Sequence, residues 1–287
     1  MINKVVIIGN GFDIDQGLNT SYQDFLENGI QTPVFETNQI LNHIQSLRDQ
    51  LQPNWSDLEL VLAKLLMTDV SNLDESIWNE NLSKGYIQVT RLLKSYIASE
   101  QRYFTQSQKF NSTRPSYAFL ENLHASEFEN ITIFDFNYTN TVQNILSSLP
   151  LKGNIEHIKV HGSIDQDEII FGVENYGDIR IPSKFVYAKK SNSPVFYNGR
   201  IADKMISTNE IHIFGHSLGE SDEVHLGEYF SRVLNPNEPD LPTIKQIFKF
   251  HLNPSNREIE MTRINGRIDE LSGSLADFKR SVRLEYI

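Results

Sequence analysis

The sequence predicts an α/β fold on a mainly parallel, Rossmann-like sheet flanked by helices, and three observations predict it. Lys4, Val5, Val6, Ile7 and Ile8 form a run rich in β-branched residues that stops at Gly9-Asn10-Gly11. A continuous apolar run ended by glycines reads as a strand buried on both faces. Further strand-like runs at 131–136, 155–160, 168–171, 210–214 and 243–251 are separated by long intervals, which favours βαβ units over hairpins. Several of these runs end in a polar cluster, where open parallel sheets bind their ligands.

Taken in order, the first strand leads into a turn and then Asp13 and Asp15, acidic residues suited to a helix N-terminus. A helical pattern resumes from Ser21 through Leu26. Residues 35–104 are helical almost throughout. Ile40, Ile44, Leu47 and Leu51 recur at helical spacing before Pro53 closes that helix. Leu58, Val61, Leu62 and Leu65 mark a second, beginning near Ser56, and Ile87, Leu92, Leu93, Tyr96 and Ile97 a third. With no strand signal among them, they are expected to form a helical insertion at about 35–125 within a single 1–287 domain. The strand runs then follow. Residues 235–240, rich in proline and asparagine, read as a loop.

Composition limits the function. A chain of 287 residues buries roughly three quarters of its unfolded surface, so the core needs no covalent staples. The net charge of −11 repels polyphosphate backbones over most of the surface; one nucleotide in a local cleft is compatible with it, broad nucleic-acid binding is not. The absence of cysteine excludes disulfides, Cys-ligated zinc and iron–sulfur clusters. No targeting segment and no membrane-length apolar stretch is visible, so a cytoplasmic location without membrane contact is expected.

Four clusters carry chemistry. Gly9-Asn10-Gly11-Phe12-Asp13 follows the first strand; its glycines let backbone N–H groups approach a phosphate, and the next helix N-terminus favours negative charge. The full dinucleotide fingerprint fails because its sixth position is Ile14, so a plain strand–helix turn is the alternative. Asn137-Tyr138-Thr139-Asn140 ends the 131–136 run. Asn137 offers donor and acceptor to a ribose or a water, and helix capping is the competing role. His161-Gly162 follows the 155–160 run, with His161 suited to general-base work and Gly162 to a close approach of backbone and substrate. Gly215-His216-Ser217-Leu218-Gly219 fits a serine nucleophile elbow, yet only His225 and His251 follow it as bases, and neither is well placed. A nucleotide site uses all four clusters, with Gly215 and Ser217 on ribose or phosphate. Ser56 and Glu59 form the pattern of a capping box, and the sequence does not show whether Glu59 faces the cleft.

Assembled, these residues resemble the bacteriophage abortive infection AbiH family. The resemblance rests on Ile7-Ile8-Gly9-Asn10-Gly11-Phe12-Asp13, Trp55 to Glu59, Phe136 to Asn140, His161-Gly162 and Gly215 to Asp222, in family order over about three quarters of the chain. That family in turn looks like a distant relative of sirtuins and sirtuin-like NADases. The resemblance implies a sirtuin-like fold with NAD as substrate or ligand and no metal, and a homo-oligomer or defence-system partner as protein contact. Asn137 and His161 are then the catalytic pair. Gly9, Asn10, Gly11, Phe12, Asp13, Tyr138, Thr139, Gly162, Gly215, His216, Ser217 and Asp222 are the nucleotide contacts. A silent NAD or ADP-ribose sensor and a serine hydrolase using Ser217 are the alternatives. Two positions depart from sirtuins. The zinc module cannot be built without cysteine, so deacetylation is not expected. Thr139 also stands where sirtuins carry an aspartate, for which Asp13 or Asp222 is the substitute.

Overall fold

The computed structural model describes residues 2–30, 32–50, 58–68, 75–107, 110–123, 129–150, 153–175, 179–235, 237–241 and 245–287. Their elements in chain order are β1 (Ile2–Ile8), α1 (Gly11–Gln16), α2 (Tyr22–Asn28), α3 (Thr32–Thr37), α4 (Gln39–Asp49), α5 (Leu58–Leu66), α6 (Glu75–Ser107) and α7 (Pro115–Leu123). Next come β2 (Glu129–Asp135), α8 (Thr141–Ser148), β3 (Asn154–Lys159), β4 (Gly162–Ser163) and β5 (Glu168–Ile169). The chain ends with α9 (Ile201–Ile206), β6 (Glu210–Phe214), α10 (Glu223–Arg232), β7 (Ile247–His251), α11 (Arg257–Ser272), α12 (Leu275–Ser281) and β8 (Arg283–Tyr286). They fall into two compact units: unit 1 comprises Met1–Gly17, Phe110–Val160 and Tyr197–Ile287, and unit 2 comprises Leu18–Lys109 and His161–Phe196.

Unit 1 holds a six-stranded sheet in the order β3-β2-β1-β6-β7-β8, and every neighbouring pair is parallel. Counting only these strands, the chain adds one outward from β1 three at a time, then reverses between β1 and β6. In such doubly wound sheets that reversal opens a crevice at the carboxyl ends of the strands. Successive side chains of β1 enter opposite layers, as a strand period of two requires. Val5 and Ile7 pack with residues of α9, α10, α11 and α12, whereas Val6 and Ile8 pack with Phe12 of α1 and with α7 and α8. Helices thus flank the sheet on both faces, which is why β1 is apolar without alternation. Both gaps in unit 1 close locally: Asn111 N–H donates to Gln16 Oε1 at 3.2 Å, and Tyr197 N–H donates to the Val160 carbonyl at 3.4 Å.

Unit 2 is mostly helical. The region expected as a third helix from about Ile87 is one element, α6, 33 residues or about 50 Å long. Gly85 lies inside it because α4 begins there: Asn38 caps α4 through Ile40 and Leu41 N–H and donates from Nδ2 to the Gly85 carbonyl at 3.0 Å. A methyl group at position 85 would stand 3.1 Å from Asn38 Oδ1. The expected insertion at about 35–125 covers α3 to α7, but α7 packs in unit 1. Pro53, Trp55 and the Ser56 capping box lie outside the described residues.

Two strand expectations are corrected. The 168–171 run is not a sheet strand: β5 is two residues long and pairs antiparallel with β4 in unit 2. The few residues between β3 and β5 cannot make a parallel crossover, which takes a dozen or more. The sheet also gains β8, parallel to β7. Its period-two signal is present, with Leu284 and Tyr286 packed against the core while Arg283 is exposed.

Candidate functional site

The glycines after β1 answer to the turn after β6. Gly9 N–H donates to the Phe214 carbonyl at 3.0 Å, Gly11 N–H to the Gly215 carbonyl at 2.9 Å, and Phe12 N–H to the Gly9 carbonyl at 2.9 Å. A methyl group on Gly9 would stand 2.7 Å from the Gly215 oxygen, and one on Gly11 would stand 2.6 Å from the Gly215 Cα. Gly215 itself has φ +65°, a conformation glycine adopts without Cβ strain. The two turns therefore pack backbone on backbone. This corrects the expected phosphate cradle at Gly9 and Gly11, because their amide hydrogens are already engaged. Asn10 has helical backbone angles and no side-chain capping bond; it is partly exposed.

Asp13 follows in the first turn of α1 and is 1% exposed. Its Oδ2 accepts from the Thr139 hydroxyl at 2.6 Å, and Thr139 and Thr141 share a 3.1 Å hydroxyl contact. Asp13 Oδ1 is buried without a hydrogen-bond partner. Burial pushes the Asp13 carboxyl up to about 6 against the opposing Thr139 hydrogen bond, and the nearby Asp135 charge adds to the rise. Asn137, 5% exposed, likewise leaves its Nδ2 buried and unpartnered. Capping does not explain Asn137: the N-cap of α8 is Asn140, which makes no side-chain capping bond. Tyr138 between them is partly exposed.

Beneath this turn lies a charged cluster that the sequence reading passed over. Asp135, the fully buried last residue of β2, accepts Lys159 Nζ at 2.7 Å and the His157 ring at 3.0 Å on Oδ2. Its Oδ1 accepts Asn137 N–H at 2.9 Å. Burial opposes the Asp135 charge, but Lys159 and His157 together hold its carboxyl below the ordinary range. Lys159 Nζ also donates to the Asn137 carbonyl at 3.0 Å and to the Thr139 carbonyl. The signal was available: opposite charges at the ends of two apolar runs that pair in one sheet, with Asp135 opposite Lys159.

In the 215–222 segment His216 is buried, and its Nδ1 accepts the Leu218 N–H at 3.0 Å. Its Nε2 lies 3.2 Å from Asp222 Oδ2, and the ring meets Phe136 edge-on at 4.5 Å. With Nδ1 used as an acceptor, His216 has no lone pair left to serve Ser217. Ser217 is exposed, and the strained φ of +55° falls on Leu218 rather than on the serine. His225 is buried against the Phe136 ring, and His251 stacks on His212 and meets Phe119 at a tilt, its pKa pushed down to about 3 by burial and by His212. Neither histidine nor the turn strain fits a nucleophile elbow.

Unit 1 therefore brings Gly9, Gly11, Phe12, Asp13, Asn137, Thr139, Gly215, His216, Ser217 and Asp222 to the carboxyl edges of β1, β2 and β6. His161 and Gly162 belong to unit 2. His161 is buried and its carbonyl accepts Ile170 N–H at 2.9 Å. Gly162 has φ +72°, and a methyl group there would stand 2.4 Å from the Glu168 carbonyl, so the β4–β5 pairing already accounts for this glycine. Glu59, also in unit 2, is buried and pairs with the fully buried Lys190 at 2.9 Å. Among the described residues no group of three or more His, Asp or Glu side chains is arranged to hold a metal ion, and no helix is long and apolar enough to cross a membrane.

Comparison with curated proteins and with solved structures finds no match. One family model does match, that of bacteriophage abortive infection AbiH, over residues 5–240. This span holds β1 to β6, α1 to α10 and each of the four clusters, and on it the chain belongs to the AbiH family of phage-defence proteins.

Proposed function

We propose that the chain binds NAD at the carboxyl edge of the unit 1 sheet and hydrolyses its nicotinamide–ribose bond, releasing nicotinamide and ADP-ribose. The observation that carries this reading is a pair of buried polar atoms without partners: the acceptor Asp13 Oδ1 and the donor Asn137 Nδ2. Each such atom costs about 1–3 kcal/mol unless something satisfies it, and native proteins keep few of them. A ligand that presents both a hydrogen-bond donor and an acceptor relieves both costs. The Thr139–Asp13 bond sets a carboxylate beside the position at which sirtuins carry their aspartate, and Asp13 takes that role in the proposal.

In the proposed reaction the C1′–nitrogen bond breaks with oxocarbenium character at C1′. Asn137 positions the ribose or the incoming water, whose oxygen forms the new bond to C1′. The water's proton is released to solvent. Asn10 and the exposed Ser217 are proposed contacts for phosphate and ribose, with Tyr138 at the rim. The proposed setting is the cytoplasm, with a nucleotide ligand and a partner of the defence system.

Purified protein incubated with NAD should release nicotinamide. Asn137→Ala should slow that release on the order of 100-fold, as for loss of a positioned hydrogen bond. Equal release by wild type and variant would remove that role. Tight NAD binding by wild type without turnover would make the protein a sensor instead.

A further inference from the structure

We propose that Lys159 and Asp135 are positioning residues that clamp the backbone on both sides of Asn137 and leave its side chain for ligand. This deepens the NAD reading above and rests on it for the activity it explains. Asn137 N–H goes to the Asp135 carboxylate at 2.9 Å, and its carbonyl receives Lys159 Nζ at 3.0 Å. The same ammonium donates to the Thr139 carbonyl and to Asp135 Oδ2. An ammonium has three hydrogens, and all three are thereby engaged.

The Asn137 side-chain nitrogen has no partner, although it is buried next to an ion pair that fixes both faces of its own backbone. A purely structural ion pair has no reason to leave that atom unsatisfied. A clamp does, because a side chain delivers orientation only when its own backbone cannot yield. His157 completes the device from β3: its Nε2 bonds Asp135 Oδ2 at 3.0 Å and its Nδ1 bonds Gln143 of α8 at 2.9 Å, which ties the helix after the turn to the same carboxylate. The groups facing Asp135 are thus Lys159 and His157, with the Asp13 carboxylate the acidic neighbour.

The test is Lys159→Gln in the full chain, read in two ways. Amide hydrogen exchange at Asn137 should speed up on the order of 10-fold or more relative to amides of β1, and this readout needs no ligand. In a double-mutant cycle scored by nicotinamide release, Lys159→Gln should slow wild type on the order of 10- to 100-fold. It should slow the Asn137→Ala protein little further, because a clamp acts through the residue it holds. Unchanged exchange at Asn137, or fully additive losses, would overturn the clamp. If Lys159→Gln leaves Asp135 too costly to bury and fails to fold, the charge-free pair Asp135→Asn with Lys159→Met carries the same two readouts. Absence of NAD turnover in wild type would overturn the NAD reading alone, and the exchange measurement would then decide the clamp by itself.

Discussion

The carboxyl edge of the unit 1 sheet is built in two different ways on either side of β1. Toward β6, two glycine turns press backbone against backbone, and the Gly9 and Gly11 amide hydrogens are bonded to the Phe214 and Gly215 carbonyls. Toward β2 and β3, an ion pair, a histidine and two threonines hold the turn, and two polar atoms are left over. The glycine side looks like a ligand loop in sequence but is accounted for by packing. The charged side draws notice in sequence only through single residues such as Asn137, yet it carries the orphaned Asn137 nitrogen and, through Thr139, holds the Asp13 carboxylate. Polar atoms kept unsatisfied in a buried turn are a sharper sign of a ligand than glycines are.

Three substitutions break or sharpen that contrast, in falling order of effect. Gly215→Ala should destabilise the protein by about 3 kcal/mol or more, since its methyl group would meet the Phe12 nitrogen at 2.4 Å in a left-handed conformation. Urea unfolding would measure it, and a loss below about 1 kcal/mol would show that the two turns can part cheaply.

Asp13→Asn should act in the opposite direction. With a folded pKa of about 6 against an ordinary value of 3.8, the native state binds more protons than the unfolded chain between those values. The penalty for the buried charge is therefore absent below pH 3.8, grows as pH rises through 6, and is complete above it. On that basis the uncharged variant should gain on the order of 1–3 kcal/mol at pH 8 and lose this downward slope, while its NAD affinity falls. A wild-type unfolding midpoint that keeps rising across pH 4–6, with no difference from the variant, would contradict it.

Ser217→Ala should have the smallest effect, within about 0.5 kcal/mol for an exposed side chain. It should also leave the protein as unreactive toward a fluorophosphonate probe as wild type; labelling lost on substitution would restore the serine-hydrolase alternative.

Much of the sheet was legible because a strand covered on both faces needs a largely apolar run; β1 has a continuous one, and β2 and β6 each have one broken by a single residue, Thr132 and His212. β8 was harder: four residues with alternating character, directly after a helix, carry little pattern. The 168–171 run misled because local hydrophobicity does not say whether enough chain is available to cross over. In the site, single residues such as Asn137 and Asp13 stood out by type and place. The Asp135–Lys159 pair did not, because its meaning lies in strand register, which joins residues that are distant along the chain. The engagement of Gly9 and Gly11 by the β6 turn was hidden for the same reason.

The chain leaves unit 1 twice, and each time it returns beside its point of departure, Gln16 touching Asn111 and Val160 touching Tyr197. A detour whose two ends already meet imposes no stretch on the strands around it. A change in the length of what hangs from either doorway would then leave the sheet and its charged turn undisturbed.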